Sequence, residues 1–139
     1  MSVFVDTGVL FAAAHGRDRQ HARAAEILRG LPADRPFCSD HVVIEVWAML
    51  CSRAGWEPAM RFWRGLRETP LVIEPAGIAD LERAEAIASA WEDLELDIVD
   101  CTSFAVMERL GCRRAATFDR DFAVYRYGAR RDRAFEIVC

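Results

Sequence analysis

Ser2-Val3-Phe4-Val5-Asp6-Thr7-Gly8 opens the chain with a short apolar, β-prone run that stops on a carboxylate. Continuous apolar runs of this length mark strands buried on both faces, as in a parallel sheet. Three further acids keep similar company. Glu45 interrupts Val42-Val43-Ile44 and Val46-Trp47, Asp100 follows Ile98-Val99, and Asp119 follows Ala115-Ala116-Thr117-Phe118. A lone ionised carboxylate is very costly to bury, so each must be protonated, paired or bound to a cation. The sequence offers no matching set of buried cations. The economical expectation is that the four acids converge on one divalent metal site, which makes the chain a candidate metal-dependent hydrolase of phosphodiesters.

Outward from that run, short strands alternate with helices. Strands are predicted at 2–5, 37–38, 71–74, 114–117 and 135–138. Helices are predicted over 9–14, 18–29 (capped by Asp18), 40–53 (capped by Ser39 or Asp40 and ended by Gly55), 57–67, 78–91 and from Asp97 or Asp100 to 110, closed by Gly111. This alternation implies α/β architecture, a parallel sheet with helices on both faces. In such sheets ligands gather beyond the carboxyl ends of the strands, where strand order reverses. Asp6 and Asp119 follow strands, and Glu45 and Asp100 sit in early helical turns, so the fold and the acids point to one place.

The bulk numbers bound the function. At 139 residues and 53% apolar, the chain fits one domain spanning 1–139 with a real core. A net charge of −4 argues against a generic polyanion binder. No apolar stretch reaches membrane-span length, so a cytoplasmic protein without membrane contact is the expectation. Five cysteines without a CxxC pair read as reduced, mostly buried small hydrophobes. All 18 basic residues are arginine. Arg53, Arg61, Arg64 and Arg67 interleave with Trp56 and Trp63, and Arg126, Arg130, Arg131 and Arg133 crowd the C-terminal region. Either group could follow a nucleic-acid backbone, although a solvated helix face is the plainer reading. His15, His21 and His41 have no metal spacing. Trp47 and Trp91 are expected to fill the core or an interface. The amphipathic helices 18–29 and 56–67 could receive a partner helix.

Oxygen donors without His or Cys favour Mg²⁺ or Mn²⁺ over zinc. Asp6 and Asp100 are the expected direct ligands. Asp119 ligates directly or through water, and Glu45 acts through water or as the base orienting the attacking water. Thr7, Thr102, Ser103 and Thr117 are candidates to support the ligands or phosphate oxygens from behind. The string apolar-apolar-Asp-Thr-Gly also marks aspartic proteases. These require a β-rich fold and a second aspartate, against the helical periodicity here.

Val3-Phe4-Val5-Asp6-Thr7, Glu45 in its apolar helix, Asp100-Cys101-Thr102-Ser103-Phe104-Ala105 and Ala116-Thr117-Phe118-Asp119-Arg120-Asp121-Phe122 together resemble the PIN-domain family, especially its VapC-type toxins. The resemblance spans nearly the whole chain. It implies a three-layer α/β/α sandwich around a mostly parallel sheet and a Mg²⁺- or Mn²⁺-dependent endoribonuclease cleaving RNA. It also implies a cognate antitoxin and a homodimer. The family's acids carry over onto Asp6, Glu45, Asp100 and Asp119, with Asp121 and Asp97 as further acids. A housekeeping RNA-processing nuclease, or a non-catalytic RNA- or protein-binding module of the same fold, are the alternatives.

Overall fold

A computed structural model describes residues 2–139. Its five strands are β1 (Val3–Val5), β2 (Pro36–Ser39), β3 (Val72–Glu74), β4 (Arg114–Ala116) and β5 (Glu136–Val138). They form one sheet in the order β3-β2-β1-β4-β5, and every ladder is parallel. Parallel neighbours require crossovers, and seven α-helices supply them and flank the sheet: α1 (Thr7–Ala14), α2 (His21–Gly30), α3 (Asp40–Ala54), α4 (Trp56–Gly65), α5 (Ile78–Ala90), α6 (Ile98–Leu110) and α7 (Asp121–Val124). The all-parallel sheet removes the aspartic-protease alternative.

The order of strands explains the burial of the opening run. Val3, Phe4 and Val5 lie in the central strand and are fully buried, whereas the edge strands β3 and β5 are half-buried or exposed. From β1 the chain moves outward through β2 to β3, then returns to the other side of β1 for β4 and β5. Strand order therefore reverses between β1 and β4. Asp6 and Asp119 follow these two strands.

The core is continuous and strongly aromatic on the β5 side. Phe104 of α6 stacks on Tyr125 with ring centroids 4.3 Å apart and planes 1° apart, and meets Phe122 edge-on at 4.8 Å. Trp47 and Trp91 pack half-buried against the core, while Trp56 and Trp63 are exposed. Cys38, Cys101 and Cys112 are buried, Cys51 is half-buried and Cys139 is exposed, and all are unpaired.

Several helix boundaries differ from expectation for local reasons. Asp18 does not cap α2. Its carboxylate accepts from the Gln20 N–H at 2.8 Å and closes a turn, so the helix starts at His21. Ser39 occupies the cap position of α3, but its hydroxyl pairs with the His41 imidazole instead of a helix N–H. The helix predicted over 57–67 ends at Gly65 and tightens into a 3₁₀ turn at Leu66–Glu68. The short α7, hidden within the Asp119-Arg120-Asp121-Phe122 motif, carries no helical period to read. Asp97 caps α6 by accepting from the Val99 N–H at 2.7 Å, and Gly111 ends it in the left-handed conformation at φ 67°.

Candidate metal centre

Asp6 lies between β1 and α1, at the cap position of the helix. One carboxylate oxygen accepts from the Thr7 N–H at 2.7 Å, which caps the helix, and the other accepts from the Thr117 hydroxyl at 2.8 Å. The Thr117 hydroxyl in turn accepts from the Asp119 N–H at 2.9 Å, and Asp119 accepts from the Asp121 N–H at 2.9 Å. The loop after β4 is thus laced to the end of β1. On the other side the Thr7 hydroxyl donates to Glu45 of α3 at 2.8 Å. Thr7 and Thr117 therefore fix three acids through short side-chain and backbone bonds.

Asp100, in the first turn of α6, completes the group. Asp6, Asp100 and Asp119 each offer a carboxylate oxygen, and these oxygens lie within 4.8 Å of one another. Glu45 stands one step outside this trio, held by Thr7. An open cleft of about 430 Å³ contains all four, together with Glu95, Asp97 and Asp121, and no basic residue lines it. Among the described residues, no ion pair reaches any of these acids. Sequence reasoning misses Glu95; it sits in left-handed backbone at φ 48° within the charged run 92–97, which reads as an ordinary solvated loop.

Thr102 and Ser103 are placed elsewhere. The Thr102 hydroxyl donates to the Ile98 carbonyl at 2.7 Å and Ser103 to the Val99 carbonyl at 3.1 Å, both back along α6. Ser103 also meets the His41 ring at 3.1 Å. His41 is a packing histidine that bridges α3 and α6, and burial lowers its pKa.

The electrostatics follow from geometry. Burial, with Asp119 and Glu45 nearby, lifts the Asp6 carboxyl from 3.8 to about 6, against the bonds from Thr117 and Thr7. Burial first, then Asp6 and Asp119, drives Asp100 far above the ordinary carboxylate range. Asp80 is the internal contrast. It is equally buried at 4% exposure, but Arg109 grips both its oxygens at 2.9 and 3.0 Å, and its pKa falls. One buried acid has its arginine. The others have each other.

These shifts predict a pH signature of the metal-free chain. A carboxyl whose pKa rises on folding stabilises the fold fully below its unfolded value, and this contribution is lost as pH rises through the folded value. For Asp6 the window runs from 3.8 to about 6. The melting temperature in chelator should therefore contain a component that falls as pH rises through this window, and Asp6→Asn should remove it. Identical pH profiles for the two proteins would contradict the burial of ionised Asp6.

The donor set fits a hard cation: three carboxylates, no nitrogen or sulfur, and raised pKa values that a divalent charge would reverse.

Comparison with known proteins gives the same direction. The PIN domain family profile matches residues 3–126. The chain is 34% identical over 127 residues to the 23S rRNA-specific endonuclease VapC20 of Mycobacterium tuberculosis, covering 87% of this chain and 92% of that one. It is 25% identical over 118 residues to ribonuclease VapC26 of the same species, covering 85% and 87%. The crystal structure of M. tuberculosis VapC20, described as a sarcin-ricin loop cleaving toxin, superposes with a TM-score of 0.81 at 30% identity, over 88% of this chain and 93% of that one. A toxin–antitoxin complex from Klebsiella pneumoniae, at 18% identity and a TM-score of 0.64 over 99% of this chain and 96% of that one, shares the fold.

Proposed function

The chain belongs to the PIN-domain family, and on that premise we propose that it is a Mg²⁺- or Mn²⁺-dependent endoribonuclease, the toxin of a toxin–antitoxin pair, acting in the cytoplasm. The observation that carries this reading is the trio of buried Asp6 and Asp100 with half-buried Asp119, which lacks any cationic partner among the described residues. Bound there, the ion would polarise the phosphoryl group and stabilise the departing oxygen. Asp6 and Asp100 would hold it from the strand end and the helix turn, with Asp119 closing the third side. Thr7 and Thr117 keep the carboxylates aimed. Glu45, oriented by the Thr7 hydroxyl, would accept the proton of the water that adds to phosphorus as the phosphorus–oxygen bond of the strand breaks. Asp97 and Asp121 line the same cleft and add to its pull on a cation.

The partner reading has separate support. An apolar groove of about 400 Å³ lies between α1, α2 and α4, lined by Leu10, Ala13, Leu28, Phe62 and Leu66, with Arg29 and Arg61 beside them. Such a groove suits an amphipathic helix flanked by acids, which is the chemistry we propose for a cognate antitoxin. A homodimer belongs to the same proposal.

The test is a cleavage assay on single-stranded RNA with the purified chain. Chelator is expected to abolish cleavage, and excess Mg²⁺ or Mn²⁺ to restore it. Undiminished cleavage in chelator would overturn the assignment.

A further inference from the structure

The arginines near the C-terminus play no part in that reaction, yet they are built into a fixed turn. Tyr127 and Arg133 close the turn with backbone bonds of 2.8 and 3.2 Å in both directions, and Tyr127 stacks on Phe135 at 4.8 Å. Gly128 (φ 88°) and Arg131 (φ 51°) take left-handed backbone to turn the chain back. A Cβ at Gly128 would press on the Arg133 side chain at 3.3 Å, so the turn is tight as well as rigid. It leads directly into β5. It therefore lies by the amino ends of the strands, across the sheet from the acid cleft.

Between this turn, α5 and α6 is a further cavity of about 410 Å³. Arg83, Arg126 and Arg131 line it, beside Trp91, Ile87 and Glu108. Two of the guanidinium groups, those of Arg83 and Arg126, are anchored on one side. Arg83 donates through Nε to Glu108 at 3.1 Å. Arg126 donates through Nη1 to the carbonyls of Ala123, Val124 and Tyr125 at 2.6, 3.1 and 3.1 Å. Arg131 is placed by the turn itself. Among the described residues, the Nε and Nη2 of Arg126 and the whole guanidinium of Arg131 have no protein acceptor. Glu108 is already engaged, with the Tyr125 hydroxyl donating to one of its oxygens and Arg83 to the other. Three guanidiniums face one occupied carboxylate. The complement of such a pocket is an anion with several oxygens, for which forked arginine donors suit phosphate best. Trp91 and Ile87 give the wall an apolar surface on which a base or ribose can rest.

We propose that this pocket is a second, non-catalytic site that binds a nucleotide through its phosphate, supplied by an RNA strand or by a free nucleotide. The proposal goes beyond the cleavage reading and does not depend on it. Its test is run in chelator, where RNA stays intact if the cleft acts as proposed. A short fluorescein-labelled single-stranded RNA is titrated with the chain, with Arg131→Gln and with Arg83→Gln across a range of salt, and adenosine monophosphate is titrated separately. Arg131→Gln, at an exposed position, should keep its melting temperature. Each variant should bind RNA severalfold more weakly, with the slope of log affinity against log salt reduced by ~0.7 for each phosphate that is no longer neutralised. Saturable adenosine monophosphate binding that the variants weaken identifies a free nucleotide as the ligand. RNA binding that depends on these arginines, without monophosphate binding, identifies the strand. Affinities and salt slopes unchanged in both variants, with no arginine-dependent monophosphate binding, would overturn the proposal.

Discussion

Asp100→Asn is expected to lower RNA cleavage by more than about a hundredfold, because even groups that stand behind metal ligands cost ten- to a hundredfold when removed. The substitution keeps the shape of the side chain and removes the charge. The acid it replaces is the one most strongly opposed by its surroundings, buried in the first turn of α6 beside Asp6 and Asp119. The same change should make the metal-free chain melt higher at neutral pH, since folding no longer has to force a proton onto this buried carboxyl. Activity and stability thus move in opposite directions, which a general folding defect cannot produce. Cleavage assays and melting curves on the same preparation check both. Activity within a few fold of the parent chain would remove Asp100 from the site.

Phe104→Ala is expected to cost ~3–5 kcal/mol of folding stability, the usual range for an aromatic ring deleted from a packed core. Phe104 is fully buried and contacts Tyr125, Phe122 and Phe135, with ring centroids 4.3, 4.8 and 5.8 Å away. Its removal leaves a cavity shared by α6, α7 and the approach to β5. Against a total stability of about 5–15 kcal/mol this is a large fraction, and for a chain of this size the melting temperature should fall by about 10 °C or more. Thermal unfolding followed by circular dichroism measures it. A fall of only a degree or two would mean that the aromatic cluster relaxes around the gap. Because Phe104 lies one helical turn beyond Asp100, residual activity at low temperature also reports whether α6 keeps its register.

Much of this is legible in the residues. Val3-Phe4-Val5 is apolar throughout because β1 is the central strand, covered on both faces, and the acid after it marks the strand's carboxyl end. Asp119 is readable for the same reason, one strand over. Glu45 stands out because an apolar helix face does not tolerate an idle carboxylate, yet its place beside the trio, bonded to Thr7, depends on how α3 crosses the strand ends. Thr102 and Ser103 are adjacent in sequence to the right residue but point back along their own helix, a choice between local and distant partners that spacing does not fix. The Asp80–Arg109 pair is hidden more deeply. Asp80 looks like a first-turn acid of α5, and only the packing of α5 on α6 brings the arginine to it. The arginine turn is visible as a cluster of charge. Its rigidity comes from Tyr127, Gly128 and Phe135, which carry no such signal.

Calorimetric titration of the metal-free chain with Mn²⁺, alongside Asp6→Asn and Asp100→Asn, tests the shared-cation site most directly. The parent chain should bind the ion saturably and release protons as it does so near pH 6, because Asp6 is part-protonated there, and both variants should bind far more weakly. Equal Mn²⁺ binding by all three proteins, or none by the parent while it remains folded, would contradict it.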